Sequence, residues 1–93
     1  MPHTVREKEK QVLRVRRIRG QIEALERALT SEQVECSDVL QLITAARGAL
    51  NGLMAELVED HVRFHVLDPK QKPSSEQALA ADELVDIIRS YLK

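Results

Sequence analysis

Three side chains that bind transition metals stand out in this sequence: Cys36, His61 and His65. The two histidines are four residues apart, so on a helix they project from one face and can ligate one metal ion together. A thiolate combined with imidazoles suits nickel, cobalt and zinc better than calcium or magnesium. His3 is a further candidate ligand near the N-terminus. The alternative is that His61 and His65 are solvated residues near a helix end, where positive charge complements the helix dipole.

Cys36, the only cysteine, lies at or near the start of a predicted helix, where the dipole favours the reactive thiolate. The alternative is a small buried hydrophobic residue. Its neighbours Glu35, Ser37 and Asp38 indicate a position near solvent, although their acidic groups oppose the thiolate. We therefore favour a reactive, accessible thiol.

The segment from Cys36 to His65 must position these residues. Apolar residues recur in it at helical intervals and no proline interrupts it, which predicts one long amphipathic α-helix. A helix rises about 1.5 Å per residue, so Cys36 and His61 lie roughly 37 Å apart and one chain cannot unite them. A second copy lying antiparallel alongside would bring Cys36 of one chain to His61 and His65 of the other, twice per dimer.

Apolar residues at helical intervals predict a first helix that ends near Thr30 and has one buried stripe. The same helix carries a candidate DNA-binding surface. Residues 1–20 hold seven Lys or Arg against two Glu, so positive charge is concentrated at this end of a chain whose net charge is −1. Such cations suit the phosphates of a duplex. The alternative is a solvated face that pairs with Glu7, Glu9 and Glu23. The basic ridge is formed by Arg6, Lys10, Arg14 and Arg17, and Arg16 completes the predicted DNA-binding set.

The remaining chain adds a loop over 66–73 and a third helix that Ser74 or Ser75 caps. The fold class is therefore all-α, with one domain over residues 1–93. Three helices of such unequal length do not close a core, so we expect first and second helices to pair in an antiparallel four-helix-bundle dimer.

Composition narrows the class of protein further. With 93 residues, one Phe, one Tyr and no Trp, a single chain buries little apolar area, which favours a homo-oligomer. No run approaches the roughly 20 apolar residues that span a bilayer. The N-terminus lacks an apolar signal-peptide core, so we expect a cytoplasmic protein with no membrane partner. No phosphate-binding loop, nucleophile elbow or apolar pair of carboxylates is present, so we predict that it is not an enzyme.

The sequence resembles the copper, nickel-cobalt and formaldehyde-responsive repressors, the CsoR/RcnR/FrmR family, over nearly its whole length. The resemblance lies in RVRRIRGQIEALERAL, in EC followed by VLQLITAARGALNGLMAEL, and in the terminal RSYLK. It implies a three-helix protomer, dimers that assemble into a flat tetramer, and promoter DNA that is bound without effector and released with it.

The resemblance leaves two effectors open. The nickel and cobalt branch uses a set matching His3, Cys36, His61 and His65, all present here. The formaldehyde branch uses Pro2, exposed when Met1 is removed, with Cys36, and usually has an acid in place of His65. The copper branch normally has a second cysteine there, which argues against copper(I). We favour nickel or cobalt, with zinc possible and formaldehyde as the alternative that needs no cofactor.

Two functions of other classes remain compatible with the residues alone. One is a metal-storage or metal-delivery protein that never contacts DNA, and the other is a purely structural helical oligomer. DNA binding by the basic ridge would distinguish the repressor from both.

Overall fold

The structure, a computed structural model, describes residues 5–67, 70, 72 and 74–92. They form three α-helices: α1 (Val5–Thr30), α2 (Cys36–His61) and α3 (Glu76–Tyr91). This part of the chain contains no strand, which confirms the predicted all-α, three-helix protomer. Within the same residues, no helix has the length and apolar character needed to cross a membrane.

Local hydrogen bonds mark two of the helix boundaries. At the end of α1, the Thr30 hydroxyl donates to the carbonyl oxygens of Glu26 and Arg27, at 3.1 Å in both cases. Before α3, the Ser75 hydroxyl oxygen accepts a hydrogen bond of 3.1 Å from the backbone N–H of Ala78. This is the side-chain cap that satisfies an otherwise unpaired donor in the first turn, so Ser75, one of the two predicted candidates, is the residue that caps α3.

α1 and α2 form an antiparallel hairpin connected by residues 31–35. Two cross-helix contacts show the direction: Lys10 pairs with Glu56, and Arg14 lies against Gly52. The later residue on α1 contacts the earlier residue on α2, as antiparallel packing requires. The resulting protomer is elongated and thin, with principal extents of 58 × 27 × 13 Å.

Little of the apolar surface is buried within one chain. On α1, Ile18 is buried, with 8% of its surface exposed, but most of the predicted apolar stripe is not. The expectation of a buried stripe is therefore wrong for an isolated chain, because α2 alone is too narrow to cover it. The exposed members of the stripe, 45% to 73% accessible, are Val5, Val12, Val15, Ile22 and Leu29.

The predicted single α-helix from Cys36 to His65 is wrong in its last turn. α2 ends at His61 and continues as a π-helix over Val62–Val66, closed by a 3.0 Å bond from the Leu67 N–H to the Val62 carbonyl oxygen. In an α-helix, residues five apart point about 140° away from each other, whereas a π turn brings them nearer to one face. Val62 and Leu67 can then both pack against α3.

α3 docks on this π-helical segment. Val62 forms a buried cluster with Ala81 and Val85 of α3. Arg63 adds a 2.8 Å ion pair from its Nη1 to Oδ1 of Asp82. α3 is therefore attached where α2 passes into the π-helix, which is also where the two histidines lie.

Candidate metal centre and nucleic-acid interface

His61 and His65 are brought together by the junction between α2 and the π-helix. Their ring centroids are 5.3 Å apart and the ring planes differ by 26°, so the imidazoles stack. Both residues are exposed. The two imidazoles therefore lie close together, as their spacing of four residues predicts.

Cys36 lies at the opposite end of α2. It is the first residue of the helix, is exposed and forms no disulfide. Glu35 precedes it in extended conformation and provides no side-chain cap. Because α2 is continuous from Cys36 to His61, the thiol and the imidazoles are separated by roughly 37 Å within one chain. The prediction that one chain cannot unite them is confirmed.

The donor types would fit a borderline transition metal, but the described residues of one protomer do not bring them together. Across the described residues, no group of three or more His, Cys, Asp or Glu is close enough to hold a metal ion. The stacked histidines offer two imidazole donors, and a thiolate would have to come from another chain. His3, the fourth predicted ligand, and Pro2, the predicted aldehyde-reactive amine, lie outside the described residues.

The basic residues of α1 divide into two groups. Nζ of Lys10 is 3.4 Å from Oε1 of Glu56, and Nε of Arg14 is 3.1 Å from Oε2 of the same carboxylate. The other predicted DNA-binding residues are exposed, and no ion pair is observed for them within the described part of the chain; they are Arg6, Arg16 and Arg17.

Glu56 is the partner of the basic ridge that sequence reasoning missed. The partners expected for the ridge were Glu7, Glu9 and Glu23 of α1 itself, whereas the observed partner belongs to α2. A signal was present in the spacing, since Lys10 and Glu56 each lie 23 residues from Gln33, the middle of the connection. In an antiparallel hairpin, residues equally distant from the connection face each other.

Gly52 accommodates the head of Arg14. A Cβ atom at Gly52 would lie 3.4 Å from Nη1 of Arg14, so the guanidinium lies directly over this glycine. Gly52 thus leaves room for a charged side chain against α2 at this position. This contact holds the Arg14 side chain against α2 beside Glu56.

An acidic groove surrounds the ion pairs of Glu56. It is an open cavity of about 410 Å³ between the three helices. The pKa of Asp60 is raised, first by burial and then by the negative charges of Glu7 and Glu56. Four carboxylates and three cations line it: Glu7, Glu56, Glu59, Asp60, Lys10, Arg14 and Arg89.

Arg89 links α3 to this groove. It donates from Nε and Nη2 to Oε1 of Glu59, at 3.0 and 2.8 Å. The hydrogen bond and the charge of Glu59 raise the pKa of Arg89 further above its ordinary value. Oε2 of Glu59 is also 3.8 Å from Nε of Arg63, so both oxygens of this carboxylate face a cation. Glu59 is therefore engaged with α3 and the π-helix, which leaves Glu56 as the carboxylate that pairs with α1.

Comparison with known proteins identifies relatives along the whole chain. The sequence profile of the family described as metal-sensitive transcriptional repressor matches residues 7–90. A protein of the bioA 5′ region of Serratia marcescens is 50% identical over 93 residues, and the transcriptional repressor RcnR of Salmonella paratyphi B is 40% identical over 93 residues, with all of both chains covered in each case.

A solved structure is similar as well. It is the formaldehyde-responsive regulator FrmR of Salmonella enterica serovar Typhimurium, in a variant with histidine in place of one glutamate. It shares 44% sequence identity with this chain at a TM-score of 0.68, and the match covers 97% of this chain and 99% of the other. The chain therefore belongs to the family of metal-sensitive transcriptional repressors.

Proposed function

We propose that this repressor binds promoter DNA as a homo-oligomer and releases it when nickel or cobalt binds between subunits. Cys36 of one subunit and His61 and His65 of another would supply the ligands, with His3 completing the set. The observation that carries this proposal is the stacked pair of imidazoles, 5.3 Å apart, at the end of α2 opposite the only thiol. No catalytic step is part of the proposed function.

An exposed apolar groove supports the oligomer. It has a volume of about 500 Å³ and runs along α2 towards the histidines. A second α2 lying antiparallel in this groove would bury it and place its own Cys36 near His61. The assembly would thereby cover the apolar surface that one chain leaves open, and two dimers would form the flat tetramer that the resemblance implies. The groove is lined by Leu50, Leu53, Met54, Leu57, Val58 and His61.

The choice of metal over aldehyde rests on His65. A second imidazole adds a ligand for nickel, cobalt or zinc, but it has no evident part in the aldehyde reaction. In that alternative, the Pro2 amine condenses with formaldehyde and loses water to give an iminium. The Cys36 thiolate then adds to the iminium carbon, forming a C–S bond and leaving a methylene bridge between two subunits. The relatives include the transcriptional repressor RcnR and a formaldehyde-responsive regulator, so membership of the family does not by itself distinguish metal from formaldehyde as the effector.

The specific observation favouring a DNA-binding role is the exposed part of the basic helix. Arg6, Arg16 and Arg17 are accessible, and an oligomer would present several copies of them to a duplex. A metal-delivery protein that never contacts DNA is not supported, because the family is one of transcriptional repressors.

One titration tests the proposal. Purified protein bound to a labelled duplex from the region upstream of its own gene is titrated in parallel with nickel, cobalt, zinc and formaldehyde, and the intact mass of the protein is then measured. We expect release by nickel or cobalt without covalent change. Release by formaldehyde alone, with the mass of one carbon added per bridge, would establish the alternative. If the effector-free protein binds no duplex even at low salt, the DNA-binding proposal fails.

A further inference from the structure

One carboxylate on α2 holds two cations of the proposed DNA-binding helix. Oε1 of Glu56 faces Lys10 at 3.4 Å and Oε2 faces Arg14 at 3.1 Å. The Glu56 side chain is only 17% exposed, against 65% for Lys10 and 41% for Arg14. The carboxylate is thus fixed in the hairpin, whereas the two cations lie at its surface and can move away from it.

The surroundings of Glu56 strengthen its hold on these cations. Glu59, three residues further along α2, is already paired with Arg89 at 2.8 Å. Gly52 leaves space for the Arg14 guanidinium to lie against α2. Among the described residues that line the groove around them, carboxylates outnumber cations by four to three, which disfavours a phosphate that approaches the paired side chains.

We propose that Glu56 competes with DNA phosphates for Lys10 and Arg14 and thereby limits the affinity of the repressor for DNA. This inference rests on the proposed function, since it presupposes that α1 contacts a duplex. In this arrangement Arg16 and Arg17 contact the DNA phosphates, whereas Lys10 and Arg14 stay paired with Glu56 and do not. Glu56 acts as a positioning residue. It does not contact DNA itself but determines which cations of α1 are available to the DNA phosphates.

The size of the effect follows from counterion release. Each phosphate neutralised by a protein cation steepens the dependence of log affinity on log salt by about 0.9. Freeing both Lys10 and Arg14 should therefore steepen that slope by up to about 1.8. Because ion pairs at partly exposed positions are weak, we expect a modest gain in affinity, about fivefold at low salt.

The test is E56Q, measured by fluorescence anisotropy on a labelled duplex from upstream of the gene at several salt concentrations. The carboxamide has nearly the same shape as the carboxylate and keeps high helix propensity. Glu9→Gln is the matched control, because it removes the same charge from an exposed position on α1 next to Lys10. E56Q should bind more tightly with a steeper slope than this control, and the gain should vanish when Lys10→Gln and Arg14→Gln are added.

Other outcomes would overturn the inference in distinct ways. Equal affinity and slope for E56Q and Glu9→Gln would mean that Glu56 affects DNA only through net charge. Weaker binding by E56Q would mean that Glu56 orients its cations towards the duplex. If E56Q fails to fold, two double variants of the parent chain still test the inference. Lys10→Gln with Arg14→Gln should lower the salt dependence of DNA binding far less than Arg16→Gln with Arg17→Gln does. If no protein in the set binds duplex, the proposed function itself has failed and this role falls with it.

Discussion

The imidazole rings of His61 and His65 stack 5.3 Å apart across the point where α2 changes from α-helical to π-helical geometry. Val62, which lies between them in sequence, is buried against Ala81 and Val85 of α3. The backbone that carries both rings is therefore held by the core, while the rings themselves are exposed.

The first prediction follows from this pair. His65→Glu should reduce nickel or cobalt responsiveness tenfold or more, about 1.4 kcal/mol in binding, because one borderline nitrogen donor becomes a hard oxygen donor. The measurement is the metal concentration that releases half of the bound duplex. Any response to formaldehyde should be spared.

Val66→Glu is the matched control for His65→Glu. It places the same charge on the neighbouring residue, which is 66% exposed, and keeps both imidazoles. The metal concentration that releases half of the bound duplex should be nearly the same for Val66→Glu as for the parent protein. A His65→Glu protein that leaves DNA at the parent's nickel concentration would move the assignment to Pro2 and Cys36.

The second prediction concerns the division of the site between subunits. A Cys36→Ala chain retains both histidines, and a chain with His61→Ala and His65→Ala retains the thiol. Each parent should lack the intact site, while their mixture should recover one site per mixed dimer, because the ends of α2 are roughly 37 Å apart in one chain. Cobalt binding can be followed by its thiolate absorption band. With subunit exchange verified by native mass spectrometry, a mixture no better than its parents would place the site within one chain.

The sequence was sufficient to predict the helices and the wide separation of Cys36 from the two histidines. Apolar residues at helical spacing predicted α1, α2 and α3, and Ser75 was one of two predicted caps. The separation of Cys36 from His61 needed only the helix rise, which does not depend on packing. These features are local, and local spacing is what a sequence displays directly.

Features that depend on packing were missed. The π turn at Val62–Val66 differs from an α-helix only in that each hydrogen bond spans one more residue. It accompanies the packing of Val62 and Leu67 against α3, which exists only in the folded chain. The partnership of Glu56 with Lys10 and Arg14 required the register of the hairpin. The exposed stripe of α1 shows that periodicity identifies a face that avoids water, but not whether the same chain covers it.

A third prediction tests the exposed cations of α1. Arg16→Ala combined with Arg17→Ala should weaken duplex binding and flatten its salt dependence by up to about 1.8 in slope, since two phosphate contacts would be lost. Metal affinity should be nearly unchanged, because both residues are far along α1 from the proposed ligands. Arg47→Ala removes one exposed cation from α2 and is the control. If Arg47→Ala lowers the affinity for DNA by as much per charge removed, binding depends on the net charge of the protein and not on the exposed face of α1.

The last prediction concerns the acidic groove. Burial, together with Glu7 and Glu56, raises the pKa of Asp60 above its ordinary value of 3.8. The folded protein therefore binds the Asp60 proton more tightly than the unfolded chain does. As the pH rises from 3.8 through the raised pKa, the contribution of Asp60 to stability falls. Above the raised pKa the ionised carboxylate opposes folding in full, and below 3.8 both states are protonated and the effect disappears.

Asp60→Asn should therefore raise the free energy of unfolding of the metal-free protein at neutral pH. The amide resembles the protonated acid and carries no charge in the groove. The difference between variant and parent, measured by denaturant unfolding at a series of pH values, should shrink as the pH falls below 3.8. Glu32→Gln, in the exposed connection between α1 and α2, removes the same charge away from the groove and should show no such profile. A destabilised Asp60→Asn protein at neutral pH would show instead that the ionised carboxylate has a favourable partner when the protein is folded.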